Sequence, residues 1–145
     1  MYNEGTIIYF TPFYFSENKT RTKYFVVLKN IENSYLLASL PTKVDHIPIG
    51  EEIERGCVEL PTSNFNCFFI PSTEIVTTCG KQFELNTHLY GEEIVEKNID
   101  ELRRKYVIEG VHYQIWGQMK TELFNELINC FKNSRRVDRK YKRLL

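Results

Sequence analysis

Two apolar runs near the N-terminus constrain this chain more than any other feature: Gly5-Thr6-Ile7-Ile8-Tyr9-Phe10 and Tyr24-Phe25-Val26-Val27-Leu28. Both are filled by β-branched and aromatic residues, the composition of strands. The second is unbroken from Phe25 to Leu28, as expected of a buried strand. Pro12 cannot donate to a ladder and is expected to end the first strand. Between the runs lies a segment, Thr11 to Lys23, that carries Phe13, Tyr14 and Phe15 and then Lys19, Arg21 and Lys23. It is polar at its centre and long for a hairpin turn, which predicts a functional or mobile loop. Two such strands bridged by an aromatic and basic loop suggest a small β-barrel with that loop at its mouth.

The remaining pattern continues in short strands and then changes period. Asn30 to Asn33 supplies a turn, and Ser34 to Leu40 a third strand closed by Pro41. A long connection, Thr42 to Gly56, leads to short strands at Cys57–Leu60, Asn66–Ile70 and Thr73–Thr78. Gly80 breaks the last of these, and Gln82 to Val95 has no clear period. Asn98 is placed to cap a helix beginning at Ile99, with Asp100 and Glu101 in its first turn and Arg103, Arg104 and Lys105 toward its end. Its apolar stripe is Ile99, Leu102 and Tyr106, and Gly110 is expected to terminate it. A second helix carries Met119, Leu123, Phe124, Leu127, Ile128 and Phe131 on one face. Burying that face is worth roughly 1.5–3 kcal/mol per side chain before entropy, against the barrel or across a dimer interface. Strands first and helices last predict an α+β fold with a strongly bent antiparallel sheet and two C-terminal helices.

At 145 residues the chain is expected to form one domain, residues 1–133, followed by a basic tail, 134–145. From Ser134 to Leu145 six cations face one anion, a charge of +5. The first 133 residues carry 13 cations and 18 anions, a charge of −5. Such a tail contacts nucleic acid, an acidic partner or the body itself, or else frays into solvent. No apolar run approaches the roughly 20 residues of a membrane span, and no basic segment followed by an apolar one opens the chain. A cytoplasmic protein with no membrane partner is the expectation.

Chemistry-bearing motifs are few. Cys57, Cys67, Cys79 and Cys130 include no Cys-x-x-Cys pair, which predicts four free thiols, with Cys67 and Cys130 buried. There is no glycine-rich phosphate loop, no Gly-x-Ser-x-Gly and no His-Glu-x-x-His, so no metal or cofactor is expected. His88 and His112 lack spaced partners, and Glu92, Glu93 and Glu96 read as a solvated face. The first loop offers Lys19, Arg21 and Lys23 to phosphates and Phe13 and Phe15 to bases, unless those aromatics plug an open barrel end. The second offers Thr42, Lys43, Asp45 and His46, which suit proton transfer or a plain surface loop.

The order of these segments resembles the MazF/PemK-type toxin family. Members begin with Gly, a short apolar strand, a polar loop, then a basic residue before an apolar run. Here those are Gly5–Phe10, the loop, and Lys23-Tyr24-Phe25-Val26-Val27-Leu28. Leu37-Ala38-Ser39-Leu40-Pro41-Thr42-Lys43 lies where the family has an apolar-Pro segment followed by Thr-Ser. Val58–Leu60, Cys67–Ile70 and Thr73–Val76 are similar to its later strands. The resemblance implies an SH3-like barrel and a metal-independent endoribonuclease that cleaves single-stranded mRNA, forms a homodimer and is held inactive by an antitoxin protein. It implies catalytic roles for Lys23 (or Arg21, two residues earlier) and Thr42. Phe13, Phe15, Lys19, Lys43 and His46 would then bind RNA. The family's Arg-Pro pair is absent, and Lys43 stands where its Ser would follow Thr42; Thr62-Ser63 keeps both hydroxyls one strand later. The alternative is a non-catalytic RNA- or protein-binding module on the same barrel.

Overall fold

The computed structural model describes residues 2–16, 19–41, 47–48 and 50–145, and the side chains of these residues except 11–16 and 19–22. The two apolar runs belong to long antiparallel partners, β1 (Thr6–Ser16) and β2 (Lys19–Ile31). The expected loop is therefore mostly ladder. Pro12 is accommodated inside β1 at a register shift between Phe10 and Phe13, where an irregularity removes the need for its missing N–H.

A five-stranded antiparallel sheet is built on this pair, in the order β7-β3-β2-β1-β8. Its other members are β3 (Ser34–Ser39), β7 (Ile94–Asn98) and β8 (Tyr113–Gln118). A second sheet, β4-β5-β6, comprises Gly56–Leu60, Phe65–Ile70 and Thr87–Tyr90. Three helices complete the α+β fold: α1 (Ile99–Lys105), α2 (Thr121–Lys132) and α3 (Arg139–Leu144). Among the described residues the two sheets do not close into a barrel. Thr73–Thr78 forms no strand; Thr77 bridges to Met119, the Thr78 N–H donates to the Gln118 carbonyl at 2.9 Å, and Val76 is buried in the core. Gly110 lies beyond α1, which ends at Lys105, and its positive φ serves the following turn instead.

Both faces of the larger sheet are covered, which is why β2 reads as an unbroken apolar run. One face places Ile7, Val26, Leu28 and Leu36 against Phe68, Ile70 and Leu89 of the second sheet and Leu123, Leu127 and Phe131 of α2. The other places Ile8, Phe10, Phe25, Val27 and Tyr35 against Ile99, Leu102 and Tyr106, the stripe expected of α1. Asn98 caps α1 as its position suggests, accepting from the N–H groups of Asp100 at 2.9 Å and Glu101 at 3.2 Å. No helix among the described residues is long and apolar enough to cross a membrane.

Two cross-links tie α2 to the second sheet. Arg55 forks two carboxylates, donating to Glu74 at 2.6 and 2.9 Å and to Glu126 at 2.5 and 3.1 Å. Its hydrogen bonds hold the Glu126 carboxyl below the ordinary range. Cys57 of β4 is bonded to Cys130 of α2 as a disulfide, with Cα atoms 5.4 Å apart. This corrects the expectation of four free thiols. Spacing rules detect local cysteine pairs, whereas this one joins elements 73 residues apart in sequence. Cys67 and Cys79 remain free, and burial pushes the Cys67 thiol up to about 12. Cys57→Ser should cost about 2–4 kcal/mol, read as a lower urea midpoint. A thiol reductant should move the wild type to a similar midpoint and leave the variant unchanged.

His88 is also structural. It is 4% exposed, stacks on Phe69 with centroids 4.9 Å apart and on Tyr90 at 6.3 Å, and its Nδ1 has no hydrogen-bond partner. Burial lowers its pKa from the usual 6.5. Below that value the unfolded chain takes up the proton first, so stability is full above about pH 6.5 and falls as the pH drops toward the folded-state value. His88→Phe keeps the stack and should flatten this part of the acid dependence in pH-dependent thermal melts.

Candidate functional site: a tyrosine-lined pocket

The structure describes only one side chain of the expected catalytic set. Lys23 pairs with Phe10 across β1 and β2, and its Nζ stands 5.4 Å from the Phe25 ring centroid. Arg21 pairs with Phe13 and Lys19 with Ser16 in the backbone register. The side chains of Phe13, Phe15, Lys19 and Arg21, and all of Thr42, Lys43 and His46, lie outside the described residues. His112 is a loop brace, its Nδ1 accepting from the Ile108 N–H at 3.0 Å. Glu92 and Glu96 do not form a merely solvated face: Arg136 pairs with Glu92, and Lys140 with Glu96 at 3.6 Å. Thr62 and Ser63 sit in an exposed turn after β4. Among the described residues no three His, Cys, Asp or Glu side chains are grouped to hold a metal.

What the fold does build beside Lys23 is a pocket of about 340 Å³ between α1 and the larger sheet. Phe10 and Tyr35 form its floor, each 2% exposed. Ile99 and Leu102 of α1 and Tyr106 at its C-cap form one wall, Tyr2 and Tyr113 the other, with Arg103 and Val107 at the rim. The α1 wall exists because the short helix repeats its apolar stripe at 99, 102 and 106 while position 103 faces out. The opposite wall depends on pinning the N-terminus. The Tyr2 N–H donates to the Tyr35 hydroxyl at 3.0 Å, and Asn30 donates to the Tyr2 carbonyl at 2.9 Å.

The rings sit at interacting distances: Phe10 to Tyr106 at 4.6 Å, Tyr2 to Tyr35 at 5.6 Å and Tyr2 to Tyr113 at 6.0 Å. Burial, followed by its hydrogen bond to Tyr113, pushes the Tyr2 phenol well above its usual range; the nearby Glu109 acts in the same sense. This hydroxyl therefore stays neutral at ordinary pH and acts as a hydrogen-bonding group rather than a base. Among the described residues the lining contains no carboxylate, imidazole or thiol. It offers ring faces, hydroxyls and one guanidinium, groups that bind by stacking, hydrogen bonding and charge. Exposed Val107, Ile108 and Val111 extend the apolar surface on the adjoining loop.

A second aromatic group lies on the other side of β1 and β2. Phe83 stacks on Trp116 at 4.9 Å, Tyr24 meets both edge-on, and Tyr9 sits 4.6 Å from Tyr24. Lys81 caps it, 5.3 Å from a Trp116 ring centroid and donating to the Trp116 carbonyl at 2.7 Å. These rings fill their own contacts and leave Lys81 engaged, so this group is read as packing.

Sequence reasoning found Phe10, Leu102, Tyr106 and Ile99 as strand and helix residues but not as one site. Tyr2 and Tyr113 were missed because neither belongs to a recognised element in sequence. Comparison with protein-family models, with curated proteins and with solved structures finds no match to this chain. Tyr113→Phe removes the second cause of the Tyr2 shift but not burial, so it should bring the highest-titrating phenol part of the way down toward the ordinary tyrosine range in a spectrophotometric titration.

Proposed function

We propose that this protein is an RNA-binding module that takes a base of single-stranded RNA into the tyrosine-lined pocket. The observation that carries this reading is the lining itself: four tyrosines and a phenylalanine around a volume of about 340 Å³, with an exposed arginine at the mouth. Ring faces stack on any base, and phenol hydroxyls hydrogen-bond to base edges. Arg103 has no carboxylate partner within ion-pair distance among the described residues and is placed to meet a phosphate. Lys23, across the ladder from Phe10, supplies a second cation on the same face.

The test is fluorescence anisotropy with a short single-stranded RNA, in EDTA. Tyr113→Ala should weaken binding by about 1–3 kcal/mol, the worth of one stacked base, and Arg103→Ala should lower the salt slope by about 0.7. An abasic oligomer binding as tightly as the RNA, or full affinity in both variants, would overturn the proposal. The SH3-like barrel nuclease with its antitoxin and homodimer remains the competing proposal, favoured only by the position of Lys23 beside the pocket. RNA cut in EDTA by the wild type and left whole by Lys23→Ala would replace the binding module with that enzyme.

A further inference from the structure

The basic C-terminus is not a frayed end. Ser134 and Val137 are fully or almost fully buried, and Tyr141, Leu144 and Leu145 pack against the main core. Gly91 makes this seat possible, because a Cβ there would come within 2.8 Å of the Val137 side chain and 2.5 Å of the Asn66 Oδ1. Carboxylates of the acidic body hold the segment in place. Glu59 accepts from the Ser134 hydroxyl at 3.2 Å and the Arg135 N–H at 3.4 Å. Glu92 pairs with Arg136 and Glu96 with Lys140, and Asp138 caps α3 through the Lys140 N–H at 2.8 Å.

That arrangement sorts the six cations into two groups. At 100° per residue, Tyr141 and Leu144 point one way from α3 and Arg139, Lys142 and Arg143 the other, with Lys140 at the side where it meets Glu96. Arg135 is exposed just before the helix and lines an open concavity of about 540 Å³ together with Arg136 and Arg139, with Glu92, Asp138 and Tyr141 also in its wall. Arg135, Arg139, Lys142 and Arg143 have no carboxylate within ion-pair distance among the described residues. Arg135, Arg139 and Arg143 are exposed and Lys142 is half-buried, so four cations without a carboxylate partner among the described residues lie along this segment of a chain whose formal charge is zero.

We infer that this surface is a second nucleic-acid site, which binds the phosphate backbone without reading bases. The inference rests on the RNA-binding reading of the pocket, from which it differs in chemistry: it is built of cations, and the half-buried Tyr141 ring packs on the core and holds the Lys140 Nζ 5.9 Å from its centroid. Its contribution is therefore electrostatic, independent of sequence and strongly salt-dependent.

The test compares the wild type with a variant carrying Arg135→Gln, Arg139→Gln, Lys142→Gln and Arg143→Gln, in which Val137, Tyr141 and the Glu92 and Glu96 pairs are kept. Binding of a single-stranded RNA and of an abasic phosphodiester oligomer is measured across a salt series, with circular dichroism to confirm the fold. The expected result is a slope of log K against log salt smaller by about 3 in the variant, about 0.7 per phosphate contact, for both oligomers. An unchanged slope with either oligomer overturns the inference. So does a variant that loses binding to anionic phosphatidylserine vesicles but not to the oligomers. The two readings fail separately: loss of base dependence with an intact tail effect removes the pocket, and an intact slope with a Tyr113→Ala defect removes the tail.

Discussion

The pairing of β1 with β2 is the constraint from which the remaining structure follows. These strands lie at the middle of the larger sheet, and each successive pair sends side chains to opposite faces: Ile7 and Val26 to one, Ile8 and Phe25 to the other. Because both faces are apolar, each must be covered, and each is covered differently. The second sheet and α2 close one side; the short α1 closes the other. A register slip of one residue would exchange the two sets of side chains, so the layers above and below depend on this ladder. The pocket is a direct result, since a helix of seven residues covers less of the sheet than α2 and the second sheet do opposite.

How much of this was legible depends on whether the signal is local. Strand composition marks β2, β3, β4 and β5, and helical spacing marks α1 and α2, because each has its pattern within a few turns of chain. The cap at Asn98 was legible for the same reason. The segment from Thr11 to Lys23 was misread as loop, since Pro12 and the polar centre are breaker signals that the hairpin pairing of β1 with β2 overrode. Beta-strand β8 was invisible because its exposed Gln114 and Ile115 alternate with nothing clear, and it forms only by lying against β1. The six residues of α3 carry too few apolar positions for periodicity to register.

The candidate site was less legible than the fold. Reasoning from the loops pointed to Lys23, and Lys23 does lie next to the pocket, but as a neighbour of Phe10 and Phe25. The pocket's own members come from five separate parts of the chain: the N-terminus, β1, β3, α1 with its following loop, and β8. No window of sequence contains them together. A surplus of aromatics, nine Tyr and ten Phe, was the one global sign, and it could not say which rings would converge. The Cys57–Cys130 bond escaped detection for the same reason, being a fact of tertiary contact.

Charge shows the reverse situation, in which a global signal was correct and its local meaning was not. The opposition of a −5 body and a +5 tail is readable at once, and fraying was the simplest outcome for a terminal segment. The structure spends part of that opposition internally. Glu59, Glu92 and Glu96 anchor the segment, while Val137, Tyr141 and Leu144 give it an apolar seat. Exposed ion pairs alone are worth about 0–1 kcal/mol each and would not order twelve residues. The apolar contacts must therefore carry most of the docking, and the carboxylates fix which cations turn inward. Those left outward are the ones the body cannot neutralise.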